Sequence, residues 1–266
     1  MYKYLQCIAV IFSLQFVTLH CNAQQDEKVS LTHLPYIQGL TDHSVSIIWT
    51  TDRPATATNV YRQEPLAFTT LGPAKVTRFA VVNDIHGRND VLNKLLDLSD
   101  LPKQDFIVFN GDMVDNLLSE QQMFDGFMDT AIKRFASEKP MFYSRGNHET
   151  RGPFAITYPQ YFPTPTGKLY YQFKHGETAF IVLDCGEDKP DSDMEYSGIV
   201  EMDNYRTEQA KWLEEAVEKP DYKDAKYKII ICHMPPFGGW HGEQEILDKF
   251  VPILNRCLIR SIFLLS

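Results

Sequence analysis

The pattern of apolar and polar positions changes near residue 75. Before that point, Val45 to Thr50 ("VSIIWT") is apolar and β-branched, and Ala57 to Tyr61 resembles a second strand after a turn at Asp52-Arg53-Pro54. Beyond it, continuous apolar runs alternate with segments whose apolar side chains recur at helical spacing. The chain is therefore predicted to hold a small all-β segment followed by an α/β domain.

Strands and helices alternate through the second region. The strands are predicted at "RFAVV", "FIVFN", "MFYS", "YKIIICH" and "LIRSIFLLS". The helices are predicted at Asn89 to Leu98, between the capping residue Ser119 and Pro140, at Thr207 to Val217 and at Glu243 to Asn255. A hairpin is predicted from Tyr170 to Asp184, around "HGE". This order is typical of a sheet of buried parallel strands covered by helices.

The N-terminus has the pattern of a secretory signal peptide. Lys3 is the one charge in a mostly apolar stretch that reaches Leu19, and "CNA" precedes a polar run. The stretch is shorter than the roughly 20 residues that a membrane-spanning helix needs. We therefore expect residues 1–23 to be cleaved after Ala23 and the protein to be secreted or periplasmic. Lipid attachment at Cys21 is the alternative.

Composition narrows the classes of partner. The chain carries 26 basic and 35 acidic residues, a formal net charge of −9, and no basic stripe, so no nucleic-acid-binding patch is expected. No transmembrane segment is predicted, and the oligomeric state is open. Cys185, Cys232 and Cys257 are odd in number and lack C-x-x-C spacing, so we expect buried thiols rather than a disulfide framework.

Polar clusters follow four of the predicted strands directly. They contain Asp84 and His86, then Asp112, then Asn147 and His148, and finally His233. The carboxyl ends of strands in an α/β sheet line one crevice, so these side chains are expected to converge. Carboxylate, imidazole and amide ligands without a thiolate suit Mn, Fe, Zn or Mg. For any one cluster alone, a strand-end ion pair or a hydrogen-bonded buried histidine is the alternative.

Together these motifs resemble the metallophosphoesterase (calcineurin-like phosphoesterase) family over residues 75–266. "DIHG", "GDMVD", "GNHE" and "CHMPP" stand in the order of the family signature. The resemblance implies a metallophosphoesterase-type β-sheet sandwich flanked by helices. Residues 24–74 resemble the opening of the immunoglobulin-like domain of purple-acid-phosphatase-type enzymes, abbreviated from the about 100 residues of a full sandwich.

The resemblance also implies a reaction and a role for each ligand. Two divalent ions of unknown identity would hold a hydroxide that attacks a phosphomonoester or phosphodiester. His148 would be catalytic, because it would stabilise or protonate the leaving oxygen. The implied metal ligands are Asp84 and His86 on the first ion, Asp112 on both ions, and Asn147 and His233 on the second.

Two departures from the family pattern qualify this reading. The family's last motif, G-H-x-H, has no counterpart in the sequence, and each ion would keep only three protein ligands without it. The alternative function is therefore a truncated, catalytically impaired remnant. Asp115 stands where purple acid phosphatases place a tyrosine ligand, so the purple iron chromophore is not expected.

The remaining polar positions are expected to be structural. Asp184 ends a strand and is expected to form a turn or cap. His33 and His175 are expected at the surface or in turns. The acidic loop at residues 188–203 is expected to be solvated, although it could border the mouth of the active site.

Overall fold

The computed structural model describes residues 29–41, 44–54 and 67–256, and the backbone of 261–264. The signal-like stretch, the strand predicted at residues 57–61 and Cys257 lie outside these residues. The strands are β1 (Leu31–Gln38), β2 (Ser46–Thr51), β3 (Phe79–Val82), β4 (Phe106–Asn110), β5 (Met141–Ser144), β6 (Tyr171–His175), β7 (Thr178–Val182), β8 (Tyr227–Ile231) and β9 (Ser261–Leu264). The α-helices are α1 (Asn89–Leu98), α2 (Glu120–Met123), α3 (Asp129–Ala131), α4 (Met202–Ala216), α5 (Pro220–Lys223), α6 (His241–Lys249) and α7 (Val251–Asn255).

Within the described residues the strands form three sheets. β1 and β2 pair antiparallel, β3, β4 and β5 form a parallel sheet, and the third sheet has the order β6-β7-β8-β9. The β6–β7 hairpin is antiparallel, while β7, β8 and β9 run parallel. The predicted α/β architecture and the predicted hairpin are both confirmed.

The two larger sheets pack face to face. Along β4, Phe106 and Val108 lie in the core between the sheets, whereas Ile107 and Phe109 lie in a second core beneath α1 and the helical segments of residues 120–136. Successive strand residues point to opposite faces, and both faces of β4 are covered, so its sequence is continuously apolar. A third core joins the outer faces of β7 and β8 to α4, α6 and α7. The resulting helix–sheet–sheet–helix layering is the predicted sandwich.

The β1–β2 ribbon packs onto this sandwich. Tyr36 donates a hydrogen bond to the carbonyl oxygen of Tyr161 (3.0 Å), and His33 stacks on Phe124 with ring centroids 3.5 Å apart. The expectation that His33 and His175 are surface residues is wrong. Both are buried, because each imidazole contacts a carboxylate of another element, Asp129 and Asp105 respectively. The immunoglobulin-like character of residues 24–74 stays a prediction.

The helices follow the predicted pattern with local differences. α1 has the predicted bounds, and Ser119 accepts a hydrogen bond from the Gln122 N–H as the predicted cap. From Glu120 the chain winds through α2, a π segment (Phe124–Met128), α3 and a second π segment (Ile132–Ala136). The helix predicted from Glu243 to Asn255 divides at Phe250 into α6 and α7. No helix of the described part is long and apolar enough to cross a membrane.

Candidate metal centre

The candidate ligands lie where the carboxyl ends of β3, β4, β5 and β8 meet. The loop after β3 is bonded to the loop after β4, since the Asp84 N–H donates to the Gly111 carbonyl (3.1 Å) and the His86 N–H to the Asp112 carbonyl (3.0 Å). The third sheet joins at the same edge. Parallel pairing therefore brings together polar side chains that are distant in sequence.

Asp112 is the centre of the cluster. Its Oδ2 lies 3.3 Å from His233 Nε2, 3.8 Å from His148 Nε2 and 4.0 Å from His86 Nε2. Asp84 Oδ1 lies 3.7 Å from the same His86 Nε2. Asp112 and His233 are buried, while the other three side chains are partly exposed, so the cluster opens to solvent on one side.

Each of the three imidazoles is oriented by a bond at its other nitrogen. His86 Nδ1 lies 2.7 Å from the Asp115 carboxylate, His148 Nδ1 2.8 Å from the Asp115 carbonyl, and His233 Nδ1 2.7 Å from the Asn110 carbonyl. Because these oxygens accept, each Nδ1 carries the hydrogen and donates it. Three Nε2 lone pairs are thus left facing carboxylate oxygens, an arrangement that needs a proton or a cation between the acceptors.

The donor set fits a divalent metal ion. Ligand atoms of Asp84, His86 and Asp112 lie within 4.8 Å of one another, and those of His86, Asp115 and His148 do so as well. Carboxylate oxygens and neutral imidazole nitrogens are ligands that Mn, Fe and Zn accept. From the sequence, Asp115 and Asn116 are expected to orient the metal ligands, and the 2.7 Å contact of the Asp115 carboxylate with His86 Nδ1 agrees with this for Asp115. The sequence does not predict Asp115 as a member of the second group.

Asn147 is buried directly before His148, at the start of a 3₁₀ turn formed by His148–Thr150. Its position in the loop after β5 is the one that the convergence of strand ends predicts. The structure thus brings Asp84, His86, Asp112, His148 and His233 into contact and places Asn147 beside them.

Asp112 and His233 shift each other's titration. Burial raises the pKa of Asp112, but the hydrogen bond and the charge of His233 outweigh burial, with help from the His148 N–H, so that this pKa is lowered overall. Burial likewise lowers the pKa of His233, and Asp112 outweighs it, raising that pKa to about 8. Without a metal ion the pair is therefore an ion pair at neutral pH, with a proton where a cation would otherwise lie.

The backbone is strained at the ligands. Asp84, His86 and Asp112 have φ angles of 54°, 51° and 53°, in the left-handed region that side chains with a Cβ seldom adopt. Strain of this kind costs on the order of 1 kcal/mol or more per residue and collects at functional sites. Gly146 is required for a steric reason, because a Cβ there would lie 2.2 Å from Asp112 Oδ1.

The Glu149 carboxylate joins the loops after β4 and β5 by hydrogen bonds. Its buried carboxylate accepts from the N–H groups of Asp112 (2.9 Å), Met113 (2.6 Å), Val114 (3.3 Å) and Gly146 (3.0 Å). Burial, and then repulsion from Asp112, raise its pKa. Sequence reasoning placed Glu149 in the "GNHE" motif without assigning it a role.

Asp184 has the structural role expected of it. The Arg145 guanidinium contacts both of its oxygens (2.8 and 3.1 Å), and the Tyr205 hydroxyl donates to it at 2.7 Å. Cys185 and Cys232 lie nearby as buried free thiols, and burial raises the pKa of Cys232 to about 12, so this thiol stays protonated.

The acidic loop at residues 188–203 is largely accessible to solvent, as expected, and it is also anchored by ion pairs. Arg151, which follows the "GNHE" motif, contacts Glu187 at 3.1 Å and Asp188 at 3.2 Å, and so ties the loop after β7 to the loop after β5. Asp203 lies 2.7 Å from the buried Arg206 guanidinium and 2.8 Å from His241 Nε2. The Asp203–His241 pair already has a cation beside it, which makes it part of an ion-pair network that joins α4 to α6.

A cavity of about 470 Å³ lies away from this cluster, between β6 and the segments 38–41, 71–73 and 162–165. None of the candidate metal ligands lines it. Its walls are mainly aromatic and aliphatic, and it offers no group of metal-ligating side chains. Hydrogen bonding and charge, rather than the size of a cavity, therefore identify the candidate site.

Comparison with known proteins identifies the family of the chain. The family model for calcineurin-like phosphoesterases matches residues 77–261. The chain belongs to the calcineurin-like phosphoesterase family. No curated protein matches it in sequence.

Solved structures with a similar fold include two phosphatases. One is a purple acid phosphatase from yellow lupin seeds, with 16% identity and a TM-score of 0.44 over 63% of this chain and 32% of that chain. The other is a dimetal phosphatase from Danio rerio, with 14% identity and a TM-score of 0.46 over 68% of this chain and 78% of that chain. The calcineurin-like phosphoesterase described here thus spans about a third of the lupin enzyme.

Proposed function

We propose that this calcineurin-like phosphoesterase hydrolyses phosphomonoesters or phosphodiesters with the help of two divalent metal ions. The proposal depends on one observation, the convergence of three Nε2 lone pairs on the Asp112 carboxylate. A lone pair facing a carboxylate oxygen is unfavourable unless a proton or a metal cation lies between the two; a proton fills this place between His233 and Asp112 in the metal-free chain, and metal ions would replace it. The family supplies the expectation that the reaction is phosphoester hydrolysis.

The ligand roles follow the position of each side chain. Asp84 and His86, which share a contact of 3.7 Å, would hold one ion. Asp112, which contacts side chains from both sides of the cluster, would serve both ions. His233, fixed by its bond to the Asn110 carbonyl, would hold the second ion together with Asn147.

His148 is the candidate catalytic residue. Its Nδ1 donates to a carbonyl, its Nε2 is directed towards the cluster, and its side chain is partly exposed, so a phosphoester can reach it. When bound, two divalent ions would supply charge stabilisation and an activated water at neutral pH. The chain's own contribution is to present the His148 imidazole to the leaving oxygen, where general-acid catalysis is typically worth 10²–10⁴-fold.

The test separates metal binding from chemistry. The full chain is stripped with a chelator, titrated with Mn²⁺ in a calorimeter, and assayed with 4-nitrophenyl phosphate and bis(4-nitrophenyl) phosphate. We expect Asp112→Asn to lose ion binding and hydrolysis together. His148→Ala should keep the ions and lose about 10²–10⁴-fold in kcat.

His175→Gln is the matched control. His175 pairs with Asp105, which precedes β4 and so lies at the end of that strand opposite to the metal centre. Loss of the His175 imidazole should therefore leave kcat unchanged. Hydrolysis of neither ester by the Mn²⁺-loaded wild type, or full activity in Asp112→Asn, would refute the proposed function. Binding of two ions without hydrolysis would favour the catalytically impaired alternative.

We also propose that the protein is exported, since its first residues have the signal-peptide pattern. Expression with the native N-terminus, followed by mass spectrometry of the mature chain, tests this. A mature N-terminus at Gln24 is expected, and an uncleaved Met1 would contradict the proposal.

A further inference from the structure

Exposed apolar side chains lie on the loops that follow the strand ends at the candidate metal centre. These loops follow β4, β5, β7 and β8 at their carboxyl ends. Six large apolar residues on them are 57 to 92% exposed; they are Leu118, Ile156, Met194, Ile199, Phe237 and Trp240. We call this set the apolar rim. Large apolar side chains that are exposed on loops carrying candidate ligands are available to a molecule bound at the centre.

Backbone and ion-pair contacts join these loops in sequence around the site. The Leu117 N–H donates to the Arg151 carbonyl at 2.8 Å, joining the loops after β4 and β5. Arg151 contacts Glu187 at 3.1 Å, joining the loops after β5 and β7. The Gly242 N–H donates to the Asp188 carbonyl at 2.8 Å, joining the loop after β7 to the start of α6, which directly follows the loop after β8. The rim residues are therefore carried by one connected border.

The charge of this border selects against polyanions. The loop after β7 carries Asp188, Asp191, Asp193 and Glu195, and the whole chain has a formal net charge of −9. A nucleic acid or a multiply phosphorylated surface would be repelled from such a border. Arg151 pairs with Asp188 and Lys189 with Glu195, so the border stays acidic but is partly neutralised. A single phosphate attached to an uncharged apolar group is repelled far less than a polyanion, and cations in the centre would outweigh that repulsion.

We propose that the apolar rim binds the hydrocarbon part of the substrate, a phosphoester of a long-chain alcohol. The inference depends on the proposed hydrolysis and adds its substrate class. The phosphate lies at the metal centre, and the chain of the alcohol covers side chains such as Phe237 and Trp240 that otherwise face water. Binding is favourable because apolar surface is removed from water on both partners.

The test compares esters that differ in tail length alone. Ethyl and octyl phosphate, and ethyl and octyl 4-nitrophenyl phosphate, are assayed below the micellar concentration with Mn²⁺-loaded protein. We expect kcat/KM to be about tenfold or more higher for the octyl member of whichever ester class is cleaved. In the double variant Phe237→Ser/Trp240→Ser this ratio should fall to near one while ethyl-ester hydrolysis is unchanged.

A matched control and a binding measurement complete the design. Leu98→Ser removes an apolar residue at the end of α1 that is more exposed than Phe237 or Trp240, and it should leave the octyl preference intact. Octylphosphonate, but not ethylphosphonate, should shift the tryptophan fluorescence of the wild type, and Trp240→Phe should remove most of the shift. This titration needs no turnover, so it tests the rim even if hydrolysis fails.

Three outcomes are decisive. Equal kcat/KM for ethyl and octyl esters, with no fluorescence response to octylphosphonate, would overturn the rim proposal and leave hydrolysis standing. Hydrolysis of neither ester would refute the proposed function instead. Binding of phosphatidylcholine vesicles that depends on Phe237 and Trp240, without preference for a monomeric octyl ester, would assign the rim to membrane docking and overturn the proposal.

Discussion

Glu149→Gln tests whether the carboxylate beneath the site stabilises the ligand loops. The substitution keeps the shape of the side chain and replaces one acceptor oxygen with an NH₂ group. Each oxygen of Glu149 accepts from two N–H groups at 2.6 to 3.3 Å, so the amide nitrogen would face two donors with a donor of its own. Leaving a buried donor without an acceptor costs about 1–3 kcal/mol.

An opposing effect reduces this cost. Burial and repulsion from Asp112 raise the pKa of Glu149, which means that both destabilise its charged form. Replacing the carboxylate with a neutral amide removes this destabilisation. Two hydrogen bonds are lost, and the removal of the buried charge offsets part of that loss. We therefore expect the free energy of unfolding to fall by about 2–4 kcal/mol. In a domain of this size that lowers the melting temperature by about 5–15 °C.

Denaturant and thermal unfolding of the metal-free protein measure this difference. Glu218→Gln is the control, because Glu218 is an exposed carboxylate whose partner is Lys223 at 2.7 Å, and little change is expected there. Mn²⁺ should widen the Glu149→Gln deficit, since a cation on Asp112 removes the repulsion that offsets it. A metal-free Glu149→Gln protein as stable as the wild type would show that burial and repulsion dominate, and would refute the hydrogen-bonding role.

Two further predictions concern the ligands themselves. The pKa of His233 is raised from 6.5 to about 8 in the metal-free fold, so the stability that it contributes is complete below pH 6.5 and lost as pH rises through 8. We expect urea unfolding to show a loss of about 2 kcal/mol over that window, absent in His233→Gln; an equal loss in both proteins would contradict this origin. Gly146→Ala should abolish Mn²⁺ binding, because its Cβ would lie 2.2 Å from Asp112 Oδ1, whereas Gly72→Ala, with open space around it, should bind Mn²⁺ normally. Calorimetric titration decides between them, and normal binding by Gly146→Ala would show that the loop relaxes.

Features fixed by local pattern were predicted well from the sequence. "FIVFN" is apolar without interruption because β4 is covered on both faces, and Asn89 to Leu98 has the helical spacing of an amphipathic helix. The convergence of polar residues followed from a general property of parallel sheets, which places the carboxyl ends of strands at one edge. Asp84, Asp112 and His233 are in one cluster for this reason.

Features fixed by contacts between distant segments were not predictable in this way. α4 begins at Met202, earlier than predicted, because the Asp191 carboxylate accepts from its first N–H groups and acts as a cap from outside the helix. β1 was not predicted as a strand, and its pairing with β2 is interrupted by register shifts around His33. Asp115 accepts two hydrogen bonds, one at its carboxylate from His86 and one at its carbonyl from His148. Both likewise depend on the positions that the two histidines take in the folded chain.

The charge balance of the site connects stability with function. Asp112 and Glu149 are buried carboxylates joined through the Asp112 N–H, and Asp84 adds a third negative charge beside them. Arg145, the cation next in sequence to Gly146, is held by Asp184 and so does not neutralise them. With imidazoles whose Nδ1 hydrogens are already donated, the centre keeps a surplus of acceptors and negative charge that protons satisfy only in part. Divalent cations would satisfy it, and Asp84, His86 and Asp112, the residues at which the backbone is strained, are among those proposed to hold the ions.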